Sequence, residues 1–215
     1  MTLKMKHKLI GLAIVFLLIG LVSSVRLLRG QNKSLEIEPW KIKGNASASV
    51  FIVEFSDFAC PYCKVIQPVL ESLFDIFPND LKIVYKQYPI KSHHHSYEAS
   101  EASECAGDQG RFWEYKNLLF DHVIEWFTTK NNNLENVFIN YARQVNLDIE
   151  KFKTCYESGN KRDIIERNIK EGDNYLVSGT PTLILNGTKI ITHTSKEALN
   201  KLVSEALPRT GVKTR

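Results

Sequence analysis

The 215-residue sequence predicts an α/β domain: a strand, helix and strand, a long all-helical insertion, then a hairpin and a last helix, with an apolar membrane segment ahead of them. Three observations carry this. Two short runs rich in β-branched and aromatic residues flank a stretch with helical spacing, which implies a parallel crossover. Helical periodicity then continues without a strand from about Tyr97 to Leu176. Finally, an Asn186-Gly187 pair sits between two short apolar runs, a strong hairpin signal.

The charge is uneven. The chain has 28 Lys plus Arg and 24 Asp plus Glu, but Lys4, Lys6, Lys8, Arg26, Arg29 and Lys33 all precede the first acid, Glu36; without those six, 22 basic residues face 24 acidic ones, net −2. A body so balanced offers no electrostatic reason to bind nucleic acid. Residues 9–25 carry no charge and have basic residues on both sides. At 1.5 Å per residue they reach roughly 25 Å, the short limit for a spanning helix. A cleavable signal and an uncleaved anchor both fit; the bulky residues around Val22-Ser23-Ser24 favour the anchor. Basic residues are equal in number on the two sides, so counting them sets no orientation.

Residues 26–48 are polar, with Pro39 and Gly44 and no sustained period, and read as a tether. The sheet-bearing domain is assigned to 49–92 and 177–210, and the helical insertion to 93–176. Residues 49–55 read as a central strand whose one charge is Glu54. Val65, Ile66, Val69, Leu70, Leu73 and Phe77 then follow helical spacing until Pro78 and Asn79, and residues 81–87 read as the second strand.

In the insertion, Ala99, Ala102 and Ala106 mark one helix face and leave Glu98, Glu101 and Glu104 for the opposite one. A second helix is expected over 111–127, and a third is started by Asn131 to Asn133. A fourth is capped by Asp148 and stopped at Gly159, and a fifth is marked by Ile164, Ile165, Ile169 and Leu176. Strands are expected at 182–185 and 189–192, and Thr194 with Glu197 makes a capping box for the last helix.

Cys60-Pro61-Tyr62-Cys63 sits where a strand passes into a helix. Three residues apart at a helix start, the two sulfurs are about one turn apart and can join. Cys60 faces the free N–H groups and positive end of the helix dipole, which favour a thiolate, and Pro61 suits a first turn that needs no donor. A pair that prefers its reduced form is an oxidant. A zinc half-site and an inert disulfide are the alternatives; no second Cys or His pair completes four ligands. Glu54 is a carboxylate inside an apolar strand, where burial raises its pKa and lets it exchange a proton with Cys63. It could instead face solvent or pair with Lys86. Pro181 precedes a strand, where its missing N–H is tolerated, and base rates alone favour a trans bond.

Phe55-Ser-Asp-Phe-Ala-Cys-Pro-Tyr-Cys63, Glu104-Cys-Ala-Gly-Asp-Gln-Gly-Arg-Phe-Trp-Glu-Tyr115 and Gly179-Thr-Pro-Thr-Leu183 occur in that order. Together they resemble the DsbA-like branch of the thioredoxin superfamily. The resemblance implies a thioredoxin fold with an inserted helical domain, a nucleophilic Cys60, a resolving Cys63, a buried acid at Glu54 and a cis Pro181 beside the disulfide. It also implies that Pro61, Tyr62, Thr180 and Pro181 border the substrate, with the backbone at Thr180 pairing with an extended polypeptide. Glutaredoxins share Cys-Pro-Tyr-Cys but lack an insertion of this length.

Cys105 and Cys155 each fall on a helix of the insertion. Bridged, they close a loop worth about 4 kcal/mol by chain entropy; unbridged, they are two buried thiols. The export signal favours the bridge. His93, His94 and His95 cannot converge easily on one ion, so a solvated loop is expected, with no metal and no cofactor. The function expected is an extracytoplasmic thiol:disulfide oxidoreductase, at a bacterial membrane or in the periplasm, that donates disulfides to unfolded exported proteins. A quinone-linked membrane reoxidase is expected to regenerate it. A reductase or isomerase of the same fold, or a redox-inactive chaperone-like module, are the alternatives.

Overall fold

The central strand, β2 (Val50–Ser56), is buried along almost its whole length, as its apolar composition requires. A computed structural model describes residues 36–190 and 194–208. The apolar run at 9–25 lies outside the described residues, among which no helix is long and apolar enough to cross a membrane. Strand β2 leads into α1 (Pro61–Ile76) and returns as β3 (Leu81–Gln87), parallel to β2 with Val50 opposite Leu81 and Ser56 opposite Gln87. After the insertion, β4 (Thr182–Leu185) runs antiparallel on the other side of β2 and β5 (Thr188–Ile190) pairs with β4. Asn186 and Gly187 both have positive φ, the requirement of a two-residue hairpin turn, and the Asn186 side chain also accepts from Phe51 N–H at 2.9 Å.

The first correction concerns the tether. Residues 42–44 form β1 (Ile42–Gly44), an antiparallel edge strand on β3, so the sheet order is β1-β3-β2-β4-β5. Charge pairing holds this segment in the domain. Lys41, fully buried, bonds Glu104 at 2.8 Å and Asn168 at 2.9 Å, and Glu38 bonds Lys41 and Arg167. Ion pairing also buries Glu101 and Glu104, which the spacing sets opposite the alanine face: Glu101 lies against Arg162 at 2.9 Å and Glu104 against Lys41.

The insertion supplies α2 (Ser96–Gly107), α3 (Phe112–Asp121), α4 (Val123–Thr128), α5 (Asn131–Gln144), α6 (Ile149–Ser158) and α7 (Arg162–Asn174). The helix expected over 111–127 is two helices, broken at His122. Asp148 caps α6 by accepting from Lys151 N–H, and Gly159 closes it at φ 62°. Leu176 lies beyond α7, exposed and at positive φ, rather than on its apolar face. The last helix, α8 (Lys196–Ala206), is capped by Ser195, one residue later than expected.

Two packed layers flank the sheet. On one face, Val50, Ile52 and Ile83 meet Ile66, Leu70 and Leu73 of α1 and Leu199 and Val203 of α8. On the other, α7 approaches closely: a Cβ on Gly172 would lie 2.6 Å from the Tyr88 ring and 3.2 Å from Phe55. The helices share an aromatic core of Phe112, Tyr115, Trp126, Phe138 and Phe152. Cys105 and Cys155 are joined by a disulfide that ties α2 to α6 across 50 residues. Replacing both by alanine should cost about 2–4 kcal/mol of stability in urea unfolding; an unchanged midpoint would show that the bridge adds nothing.

Candidate active site

Both redox candidates belong to the start of α1. Cys60 is its N-cap residue in extended conformation, Pro61 fills the first helical position, and Cys63 lies one turn in, against the sheet. Cys60 is 5% exposed and Cys63 not at all, whereas Tyr62 is 60% and Val65 69% exposed. Val65 therefore does not join the apolar face of α1 that its spacing suggested.

Both cysteines are thiols. A hydrogen bond from Cys63 is the main cause that pulls Cys60 down to about 6 from an ordinary 9.0; burial opposes it, and Thr180 and the N–H groups of Tyr62 and Cys63 assist. Cys63 is pushed strongly upward, first by burial and then by the hydrogen bond and charge of Cys60. One sulfur is thus ready to ionise near neutral pH and the other holds its proton. In the dithiol state, Cys60 Sγ–H also donates to Thr180 O at 3.2 Å. The Thr180–Pro181 peptide is cis. Thr182, next in the chain, begins the pairing of β4 with Phe55 of β2.

Glu54 is buried, opposite Tyr85 in the register, with Phe55 opposite Lys86. Adjacent strand residues face opposite sides, so a Glu54–Lys86 pair is ruled out; Lys86 pairs instead with Glu171 at 2.8 Å. Gln67 of α1 donates to Glu54 Oε1 at 2.8 Å and to the Cys63 carbonyl at 2.9 Å, and its Oε1 accepts from Lys116 Nζ at 2.6 Å. Burial raises the Glu54 carboxyl above 4.5 against the opposing charge of Lys116. Burial likewise lowers the Lys116 ammonium below 10.5 against the charge of Glu54. Lys116 also lies over the rings of Trp113 and Phe120 at 5.3 and 5.4 Å. A buried carboxyl and a buried amine, each shifted toward its neutral form, thus meet through one amide that also bonds the Cys63 carbonyl.

Sequence reasoning missed Gln67, Lys116 and Asp57, and it named His93 without its carboxylate partner. Lys116 and Gln67 look like surface residues of their helices, and nothing in their local pattern marks them. Asp57 is fully buried, and its carboxylate meets His93 Nδ1 at 2.6 Å. The histidine run is therefore not a simple solvated loop: His95 is buried against Thr129 O at 2.9 Å, and only His94 is exposed. Among the described residues no cluster of His, Cys, Asp and Glu could hold a metal.

The family described as Thioredoxin matches residues 38–205. A Na(+)/H(+) antiporter NhaA 1 of Salinispora arenicola is 32% identical over 175 residues, 81% of this chain and 26% of that protein. The chain spans about a quarter of the length of the curated relatives it matches. Among solved structures, a thioredoxin-like oxidoreductase from Silicibacter pomeroyi DSS-3 is 24% identical with a TM-score of 0.63, over 79% of this chain and 93% of that one. Oxidised BdbD from Bacillus subtilis is 19% identical with a TM-score of 0.66, over 77% and 91%. At these identities the structures speak for the fold.

Proposed function

This chain belongs to the thioredoxin family and has a DsbA-like fold, and from that premise we propose that it is an extracytoplasmic thiol:disulfide oxidoreductase that donates disulfides to exported polypeptides. The observation that carries this reading is the unequal pair: a Cys60 thiol lowered to about 6 beside a Cys63 thiol pushed up by burial. Stabilising the Cys60 thiolate stabilises the reduced enzyme, which makes the disulfide form the stronger oxidant and Cys60 the better leaving group.

In the forward reaction, a client thiolate attacks Cys60 Sγ of the oxidised pair. The client–Cys60 bond forms, the Cys60–Cys63 bond breaks, and the electron pair stays on Cys63, which takes a proton. Glu54, raised by burial and linked through Gln67, is the proton donor or acceptor for that sulfur. A second client thiolate then attacks the client sulfur of the mixed disulfide, which closes the client disulfide and releases Cys60 as a thiolate. Client loses two electrons and enzyme gains them. The client lies along the backbone at Thr180 and cis Pro181, against Pro61 and exposed Tyr62. A membrane reoxidase, quinone-linked, removes the electrons. The Cys105–Cys155 bridge and the apolar run at 9–25 both support an oxidising compartment.

The deciding measurement is the direction of exchange. The oxidised full chain, mixed with a reduced two-cysteine peptide, should become reduced at Cys60 and Cys63 as the peptide oxidises. Thiol trapping in cells should find the pair oxidised. A pair found reduced at steady state, with a peptide left as dithiol, would assign the reductase role instead.

A further inference from the structure

Asp57 lies between the end of β2 and the start of α1, and its main chain touches both redox cysteines. Its N–H donates to Cys63 Sγ at 3.5 Å, and its carbonyl accepts from Cys60 N–H at 3.1 Å. Its carboxylate has no exposed surface and binds away from the cysteines. Oδ1 accepts from Ala59 N–H at 2.7 Å and from the Ser96 hydroxyl. Oδ2 accepts from Ile90 N–H at 2.8 Å and meets His93 Nδ1 at 2.6 Å. The turn before Cys60 is therefore fastened to the loop after β3 and to the start of α2 by three contacts to one carboxylate, and a fourth, from Ala59, closes the turn on itself. With that carboxylate fixed at both oxygens, the direction of the Asp57 amide is fixed as well.

We infer that Asp57, clamped by His93 and Ser96, is a positioning residue that aims its own N–H at the sulfur of Cys63 when that sulfur receives the electron pair. This rests on the exchange reaction proposed above. Cys63 is fully buried, so a thiolate there needs a donor already in place. The Asp57 amide is a backbone donor within reach of it, and the geometry that holds it comes from residues over 30 positions away. His93 is the accessible member. Its side chain is 31% exposed and borders a cavity of about 760 Å³, so truncating it removes one bond to the carboxylate without opening the core.

The test compares the oxidised full chain with Asp57→Asn, His93→Ala and His93→Asn. Asparagine can place an amide nitrogen where Nδ1 of the histidine stands, so it is the conservative replacement. The readouts are the rate of reduction of the Cys60–Cys63 disulfide by dithiothreitol and the equilibrium with glutathione. Loss of a hydrogen bond to a buried sulfur should slow reduction about fivefold to tenfold in His93→Ala and Asp57→Asn and shift the equilibrium toward the disulfide by a similar factor. His93→Asn should stay within about twofold of the wild type. Should Asp57→Asn fail to fold, the two His93 variants decide the matter. Equal rates and equilibria in His93→Ala and the wild type would overturn the clamp, as would a His93→Asn variant as slow as His93→Ala. A wild type reduced by dithiothreitol that never oxidises a peptide would overturn only the donor direction, since the variants are compared in a reaction that needs no client.

Discussion

Replacing Cys60 with serine is expected to abolish exchange, a loss of at least about 10³-fold, because a serine hydroxyl does not ionise near neutral pH and cannot form the mixed disulfide. Replacing Cys63 with serine should instead trap the reaction halfway. Cys60 of that variant attacks a client disulfide, and no neighbouring thiol releases it, so a covalent adduct accumulates on non-reducing gels. In the reduced wild type, alkylation of Cys60 should reach half its maximum near pH 6, against 9.0 for an ordinary cysteine. The sign follows from the lowered pKa: thiolate is present above about 6 and lost as the pH falls through it. The corresponding stabilisation of the reduced fold is complete above 9.0 and disappears on acidification through about 6. Because a hydrogen bond from Cys63 is the largest cause of the shift, Cys63→Ala should move the midpoint upward, toward the ordinary value. A midpoint that stays near 6 in Cys63→Ala would show that the helix end alone lowers the pKa, and a wild-type midpoint near 9 would remove the basis for an oxidant altogether.

What could be read beforehand divides by the range of the interactions. Cys60 and Cys63 were legible because strand end, proline and helix start are all local, and a helix fixes the separation of residues three apart. The Asn186-Gly187 hairpin and the Asp148 cap were legible for the same reason. Lys116 was not. It lies 49 residues from Gln67, in a helix whose pattern gives no reason to bury a charge, and only the docking of α3 over α1 creates its site. Within the tether expected over 26–48, β1 is not legible because a three-residue strand ending in glycine carries no periodicity; partners over 60 positions away hold Lys41 beside it. The burial of Glu101 and Glu104 is invisible for the same reason, since the counterions that permit it come from Arg162 and Lys41. Local motifs thus gave the chemistry of the sulfurs, and long-range pairing gave the charges around them.

Those charges lead to the second large effect. Lys116→Met should destabilise the domain by about 3–5 kcal/mol at neutral pH, because it leaves the Glu54 carboxylate buried without its cation. Glu54→Gln should be costly for the mirror reason, leaving a buried ammonium with an amide in place of a charge. Combining them should cost far less than the sum, since the double variant removes both desolvation penalties together. The pH dependence gives an independent check. The Glu54 pKa is raised in the fold, so its protonated form favours the native state below 4.5, and that contribution is lost as pH rises. The Lys116 pKa is lowered, so its penalty is full at low pH and is relieved as pH rises toward 10.5. Both penalties therefore coincide between 4.5 and 10.5, and there the double variant should compare best with the wild type. Urea unfolding at a series of pH values measures this, and two small, additive single effects would show that Gln67 does not couple the pair. The exchange rate should fall in Glu54→Gln even where its stability is restored by Lys116→Met, because Cys63 then lacks a group to trade its proton with. The buried pair is costly to the fold; under the exchange reaction proposed above, its use would lie in supplying a proton to Cys63, a sulfur with no exposed surface.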